Sequence, residues 1–404
     1  MARKASEGSH YDAAVSVAAG EVWWLYGPPS VGKSATAWEL FTQVLSGEPR
    51  GYLDIDQVGM CSPEPADDPG RYALKARAAG RVVRRWTDAG ARTVIISGVV
   101  DERSLNAVVD EFGGADVTFC RLRVEPGELR RRLASRYGPN DTARALAEAD
   151  QWDRYDSAGL LVDTGDGDPL ATAQRVAEAV RSAASPTPMP SSQPRSAAPA
   201  AARTGPGRAV LICGPTGVGK STVGFGLFGN LLADGRTAAY LDLQQLGFLA
   251  DLPGDAPGGH EVVAGCVADL WEQYRAVGAQ DLVLTGQVEQ AVDVQRYRDA
   301  LGATSLVVCR LHTSPEALRD RILARTRGSG PMLAGDAIVG LSAEDAEIVL
   351  HDAVIQQGRL EKADIADITL DTADKSPEVV ASSVKTAFDR LSDAAPAAST
   401  PNPT

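Results

Sequence analysis

The sequence predicts an α/β protein made of two copies of one unit, each a five-stranded parallel sheet flanked by helices. Three observations predict it. A glycine-rich segment occurs twice, as Gly27-Pro28-Pro29-Ser30-Val31-Gly32-Lys33-Ser34 and as Gly214-Pro215-Thr216-Gly217-Val218-Gly219-Lys220-Ser221, and both copies fit G-x-x-x-x-G-K-[ST]. The chain before residue 182 aligns with the chain after residue 207 along its whole length. Within each copy, short apolar runs alternate with helix-like stretches, the pattern of parallel strands joined by crossover helices.

In chain order, Val22–Tyr26 reads as the first strand, the glycine loop follows it, and a helix runs from Ser34 to Leu45. The second copy repeats this with Ala209–Cys213, its loop, and a helix from Ser221 to Leu232. A strand near Gly51–Ile55 ends in Tyr52-Leu53-Asp54-Ile55-Asp56-Gln57-Val58-Gly59, which matches Tyr240-Leu241-Asp242-Leu243-Gln244-Gln245-Leu246-Gly247. Thr93–Ser97 matches Asp281–Thr285, and a fourth strand near Val117–Val124 holds Phe119-Cys120-Arg121-Leu122, the counterpart of Val308-Cys309-Arg310-Leu311. Pro126 and Pro315 start the next helix, at a position where proline's missing N–H costs nothing. Leu160–Val162 closes the first copy, and Leu161-Val162-Asp163-Thr164 matches Thr369-Leu370-Asp371-Thr372. A glycine loop set between a strand and a helix turns its backbone N–H groups and the helix N-terminus toward phosphate. The expected organisation is therefore two tandem P-loop NTPase domains, 21–181 and 208–392. They are joined by a Pro/Ala/Ser-rich linker at 182–207, with a flexible leader at 1–20 and a disordered tail at 393–404.

A chain of 404 residues is long enough for two or three domains. Its net charge of −13 argues against nucleic acid as the main partner, because phosphate backbones are held by clustered Lys and Arg. The five cysteines are widely spaced and form no C-x-x-C pair, and with four scattered histidines they suggest neither zinc nor a disulfide framework. No apolar run is long enough to span a bilayer, and the expected setting is soluble, reducing and cytoplasmic. Cys120 and Cys309 read as core residues, and Trp23 and Trp24 should pack on opposite sides of their strand.

Strand three ends in Ser97-Gly98 or Thr285-Gly286 rather than in an acidic pair, and neither an N-K-x-D nor an L-S-G-G-Q motif is present. With the two loops and the layout around them, the chain resembles the P-loop small-molecule kinases: the adenylate, shikimate and gluconate kinase group, including chloramphenicol phosphotransferase-like enzymes. The resemblance implies a strand order of 2-3-1-4-5. It also implies ATP and Mg²⁺ as cofactors, a small-molecule phosphate acceptor, an acidic residue after strand two, an arginine-bearing lid after strand four, and a loop after strand five near the base.

The nucleotide-binding candidates are Gly27, Gly32, Lys33 and Ser34 in the first copy, and Gly214, Gly217, Gly219, Lys220, Ser221 and Thr222 in the second. Ser34 and Ser221 suit a metal-ligating hydroxyl, with Asp54 and Asp242 as carboxylate partners. Asp54 and Asp56, two apart on a strand, share a side and are candidates to orient an acceptor hydroxyl. Gln244 stands where Asp56 does, which makes the first copy the better-equipped catalyst. Of the lid arginines, Arg130, Arg131, Arg132 and Arg136 or Arg319, Arg321, Arg325 and Arg327, the pairs one turn apart stand out: Arg132 with Arg136, and Arg321 with Arg325. Asp101 and Glu289, just beyond strand three, are acceptor-side candidates. Between strands two and three the first copy carries Arg71, Lys75, Arg77, Arg81, Arg84 and Arg85, and its counterpart from Ala238 to Tyr274 carries no Lys or Arg. That asymmetry suggests an anionic acceptor in the first copy. Two other expectations compete with the kinase reading: a non-catalytic ATP-binding sensor or scaffold, and a polynucleotide kinase-like enzyme.

Overall fold

A computed structural model describes residues 20–100, 105–137, 142–143, 146–147, 149–150, 159–165, 167–183, 206–330 and 335–394. The leader before residue 20, the linker from 184 to 205, the tail from 395 onward and Asp101 lie outside these residues. The first half runs β1 (Glu21–Tyr26), α1 (Lys33–Glu39, continued by a π-helical turn Leu40–Val44), β2 (Arg50–Asp54), β3 (Cys61–Ser62), α2 (Tyr72–Asp88), β4 (Thr93–Ser97), α3 (Leu105–Asp110), β5 (Asp116–Arg123), α4 (Pro126–Tyr137), β6 (Leu160–Asp163) and α5 (Pro169–Ser182). The second half runs β7 (Arg208–Cys213), α6 (Lys220–Ala233), β8 (Ala238–Asp242), β9 (Leu249–Ala250), α7 (Gly259–Ala276), β10 (Asp281–Thr285), α8 (Ala291–Leu301), β11 (Ser305–His312), α9 (Pro315–Thr326), α10 (Ala343–Ala363), β12 (Ile368–Asp371) and α11 (Pro377–Ala394).

The sheets are ordered β6-β5-β1-β4-β2-β9 and β12-β11-β7-β10-β8-β3. The five strands that each half supplies to its own sheet are parallel and follow the order 2-3-1-4-5. Each sheet has six strands rather than the expected five, because each half adds a two-residue strand to the other. Leu249 and Ala250 pair antiparallel with Gly51 and Arg50, and Cys61 and Ser62 pair with Ala239 and Ala238. The exchange is reciprocal down to single bonds: Tyr52 N–H donates to the Phe248 carbonyl and Tyr240 N–H to the Met60 carbonyl, each at 2.9 Å. A bare β2 or β8 would expose a row of unpaired backbone groups, and the borrowed strand covers it.

The halves also share a core. One apolar cluster joins Val82, Val83 and Trp86 of α2 to Cys266, Val267, Leu270 and Tyr274 of α7. Buried side chains also cross the boundary: Tyr274 Oη donates to Val58 O at 2.6 Å, Gln273 Nε2 to Leu74 O at 2.7 Å, and Arg50 pairs with Asp251. Trp24 lies in this shared cluster and Trp23 in a separate one on the other face of β1. Phe248 of the second half belongs to that separate cluster, 5.1 Å from Trp38 and stacked at 5.9 Å on Tyr52. All five cysteines are free and buried, and burial pushes the Cys120 thiol up to about 12.

The basic excess of α2 belongs to the same boundary. Arg81 reaches Glu272 at 2.8 Å and the Asp269 carbonyl at 3.2 Å, and Arg85 makes a forked pair with Asp269 at 2.6 and 2.9 Å. Arg71 meets Glu64 at 3.4 Å and the Cys61 carbonyl at 3.2 Å. Arg81 and Arg85 are thus engaged by the acidic side chains of α7, while Arg71 and Lys75 pair with Glu64 and Asp56 of their own half. The ion pairs are partly solvated and contribute little individually, so burial of Trp86, Leu270 and Tyr274 dominates the docking.

Candidate functional site

Each glycine loop begins where the backbone turns sharply out of the first strand. Gly27 has φ +141° and Gly214 φ +152°, and a Cβ there would lie 2.5 or 2.6 Å from the carbonyl oxygen of Leu122 or Leu311. A side chain is thus excluded on both steric counts. Gly32 and Gly219, at φ +108° and +101°, deliver the chain into α1 and α6. Gly217 also has positive φ, and Ser30 holds that place at φ +62° in the first half. Lys33 Nζ donates to the carbonyls of Gly27 and Pro28, and Lys220 Nζ to those of Gly214 and Pro215, all at 3.0 Å.

The serine after each lysine meets the carboxylate that ends strand two. Ser34 Oγ donates to Asp54 Oδ2 at 3.1 Å, and Ser221 Oγ to Asp242 Oδ2 at 2.8 Å. The other oxygen of each carboxylate accepts a backbone N–H, Asp56 N at 3.0 Å on Asp54 and Gln244 N at 3.0 Å on Asp242, which locks the carboxylate toward the serine. Ser97 Oγ lies 3.5 Å from both Ser34 Oγ and Asp54 Oδ2, and it contacts Tyr52 Oη at 3.0 Å. Thr285 and Tyr240 repeat that contact at 3.0 Å. Burial, with Asp56 nearby, raises the Asp54 carboxyl above its ordinary range, and the bonds from Asp56 N and Ser34 and the charge of Lys33 pull the other way. A hydroxyl and a carboxylate oxygen converging at a helix head fit Mg²⁺, which takes one or two protein oxygens and fills its other positions with water and phosphate.

Asp56 departs from expectation. The strand ends at Asp54, the chain turns, and the Asp56 carboxylate pairs with Lys75 at 2.6 Å, away from Ser34. Two residues share a side only while the strand continues, and here it does not. Thr222 is likewise on the exposed face of α6.

The lid arginines divide by position. Arg132 Nη1 donates to Val31 O and Thr164 Oγ1 and its Nη2 to Gly165 O, each at 3.2 Å, so one guanidinium ties the glycine loop to the loop after strand five. Arg321 repeats this with Val218 O at 2.9 Å, Thr372 Oγ1 at 2.8 Å and Thr372 O at 2.7 Å. A planar fork suits two acceptors on separate loops. Arg136 lies on the exposed side of α4, Arg130 is exposed, Arg131 is exposed and pairs with Glu128, and Arg327 is exposed at the end of α9. Arg319 pairs with Glu347, and Arg325 with Asp336. Asp163 and Asp371 cap turns through Gly165 N and Ala373 N, while α5 is capped by Asp168.

The second half has a polar cluster at its loop mouth that includes Glu289, expected from the sequence, and Gln356, Gln287 and Thr216, which were not. Thr216 N–H donates to Gln356 Oε1 at 2.8 Å, Gln356 Nε2 to Glu289 at 2.6 Å, and Gln287 Nε2 to Thr216 Oγ1 at 2.8 Å. The one signal available was the mismatch of Thr216 with Pro29 in the aligned loops. Burial lowers Lys220 to about 8, against the opposing pull of Asp242, Cys213 and Glu289. Phosphate binds the charged lysine, so nucleotide uptake by the second half is expected to take up a proton at pH 9, and its affinity should fall as pH rises through about 8. Calorimetry in two buffers of different ionisation heat measures that uptake; equal heats at pH 9 would contradict it.

Among the described residues, no group of three or more His, Cys, Asp and Glu is placed to hold a metal, and no helix is long and apolar enough to cross a membrane. No family model and no curated protein matches the chain. Solved structures do. A gluconokinase from Sinorhizobium meliloti is similar at 15% identity and TM-score 0.31, over 46% of this chain and 94% of that one. A shikimate kinase from Acinetobacter baumannii is similar at 18% and 0.29, over 46% and 94%, and an APS kinase from Mycobacterium tuberculosis at 20% and 0.29, over 46% and 99%. These three solved structures are small-molecule kinases, and each matches less than half of this chain.

Proposed function

We propose that the protein is a Mg²⁺-dependent phosphotransferase that moves the γ-phosphoryl group of ATP to a small molecule, with the first half as catalyst. One observation carries this reading: in both halves the loop lysine, the helix-head serine and the strand-two aspartate meet in one place, with Ser34 and Asp54 3.1 Å apart and Ser221 and Asp242 2.8 Å apart. Lys33 and the loop amides would hold the phosphates, and Ser34 and Asp54 would hold Mg²⁺. Phosphoryl transfer depends mainly on positioning and charge neutralisation, which this set of groups can supply. Arg132, already fixed against the loop, is suited to brace the closed site rather than to sweep in from solvent.

A second reading, in which the second half binds nucleotide without turnover, is favoured by the Gln356 contact on its loop. Calorimetry with ATP and Mg²⁺ on the wild type, Lys33→Ala and Lys220→Ala separates these readings. Two sites, each lost with its own lysine, are expected, and Mg²⁺-dependent ADP release with an acceptor panel should follow Lys33. No binding to any form would overturn both.

A further inference from the structure

The second glycine loop carries an occupant of its own. Gln356, on α10, is nine-tenths buried, at 8% exposure. Its carboxamide oxygen accepts the Thr216 N–H at 2.8 Å, and its nitrogen donates to the Glu289 carboxylate at 2.6 Å. The two partners fix the amide's orientation, because the N–H needs an acceptor and the carboxylate a donor. Neighbouring Gln357 holds α10 in register, bonding Thr313 N at 3.1 Å and Thr313 O at 2.9 Å. The aligned position in the first loop is Pro29, which has no N–H to offer. The contact is therefore a property of the second half alone.

Its place on the loop says what it competes with. In a loop of this kind the backbone amides cradle the inner phosphates and the lysine reaches the outer ones, and Lys220 Nζ lies on the carbonyls of Gly214 and Pro215, next to Thr216. Thr216 is tied to Gln287 and, through Gln356, to Glu289, both from the segment after β10 where an acceptor or terminal phosphate would approach. A carbonyl oxygen on that N–H stands where a terminal phosphate oxygen would, and the adjacent carboxylate repels one.

We propose that Gln356, backed by Glu289, is a specificity-determining residue that sets the second loop against nucleoside triphosphates and in favour of diphosphates. The proposal rests on the reading of this loop as a nucleotide site. ADP leaves the Thr216–Gln356 contact in place, whereas the terminal phosphate of ATP must displace it.

The test uses the full chain carrying Lys33→Ala, so that only the second loop reports, and titrates MgATP and MgADP by calorimetry. Two further substitutions are compared: Gln356→Ala, which removes the side chain, and Gln356→Leu, which fills its space without its hydrogen bonds. Gln356→Ala is expected to tighten MgATP about tenfold, the scale of one hydrogen bond to a charged group, while Gln356→Leu, which keeps the space filled, is expected not to tighten it; both should leave MgADP within about twofold. If Gln356→Ala tightens the two nucleotides together, or does not tighten MgATP, the proposal is overturned and the nucleotide reading stands. If the Lys33→Ala protein binds neither nucleotide, with Gln356 present or replaced, the nucleotide reading of the second loop fails and takes the proposal with it.

Discussion

Replacing Lys33 by alanine is expected to lower phosphoryl transfer about 10²–10³-fold, the loss typical when one preorganised electrostatic contact to the reacting group is removed. Lys220→Ala should leave transfer nearly unchanged. The reason lies in the surroundings of the two lysines rather than in the loops. Lys220 is burdened by burial and shares its pocket with Glu289, and the far end of its loop is already bonded to Gln356. Ser34 and Asp54 have the hydroxyl of Ser97 in reach. The measurement is Mg²⁺-dependent ADP release with a panel of hydroxyl-bearing acceptors. Equal losses from both variants would show that both loops turn over. A loss from Lys220→Ala alone would reverse the assignment.

Phe248→Ala should destabilise the sheet of the first half by about 3–5 kcal/mol, although Phe248 belongs to the second. The ring sits in an aromatic cluster with Trp38, Phe41 and Tyr52, and its carbonyl caps the Tyr52 N–H. Deleting the ring opens a cavity against three aromatic neighbours that cannot all collapse into it. Urea denaturation read by tryptophan fluorescence tests this, since Trp38 lies 5.1 Å from Phe248. One transition shifted to lower urea is expected, because the halves share a core and exchange strands. Two separate transitions, or no shift, would show that the halves fold independently.

Much of the architecture was legible because it depends on local pattern. The apolar runs Val22–Tyr26 and Thr93–Ser97 are strands, and the helices after each loop begin at Lys33 and Lys220, within a residue of expectation. The Ser34–Asp54 and Ser221–Asp242 meetings were also legible, since a helix head and a neighbouring strand end are brought together by any parallel sheet of this order. Asp56 was misplaced because strand continuation beyond Asp54 depends on where the partner strand stops, which no local pattern records. The pairing of Arg81 and Arg85 with Asp269 and Glu272 lies some 190 residues away along the chain, beyond any spacing rule.

The sequence by itself determined that this chain folds as two copies of one α/β unit, each with a glycine loop, a lysine, a serine and an aspartate at corresponding positions. Those are consequences of residue type and short-range spacing: glycines where φ must be positive, apolar runs where strands are buried. Only the tertiary structure decided that the copies are fused through exchanged edge strands and a common core, that the basic helix faces an acidic one, and that Gln356 lies on the second loop. Each of these depends on which surfaces meet across a long stretch of chain, where complementarity of shape, charge and unpaired backbone groups selects the outcome and no sequence period reports it.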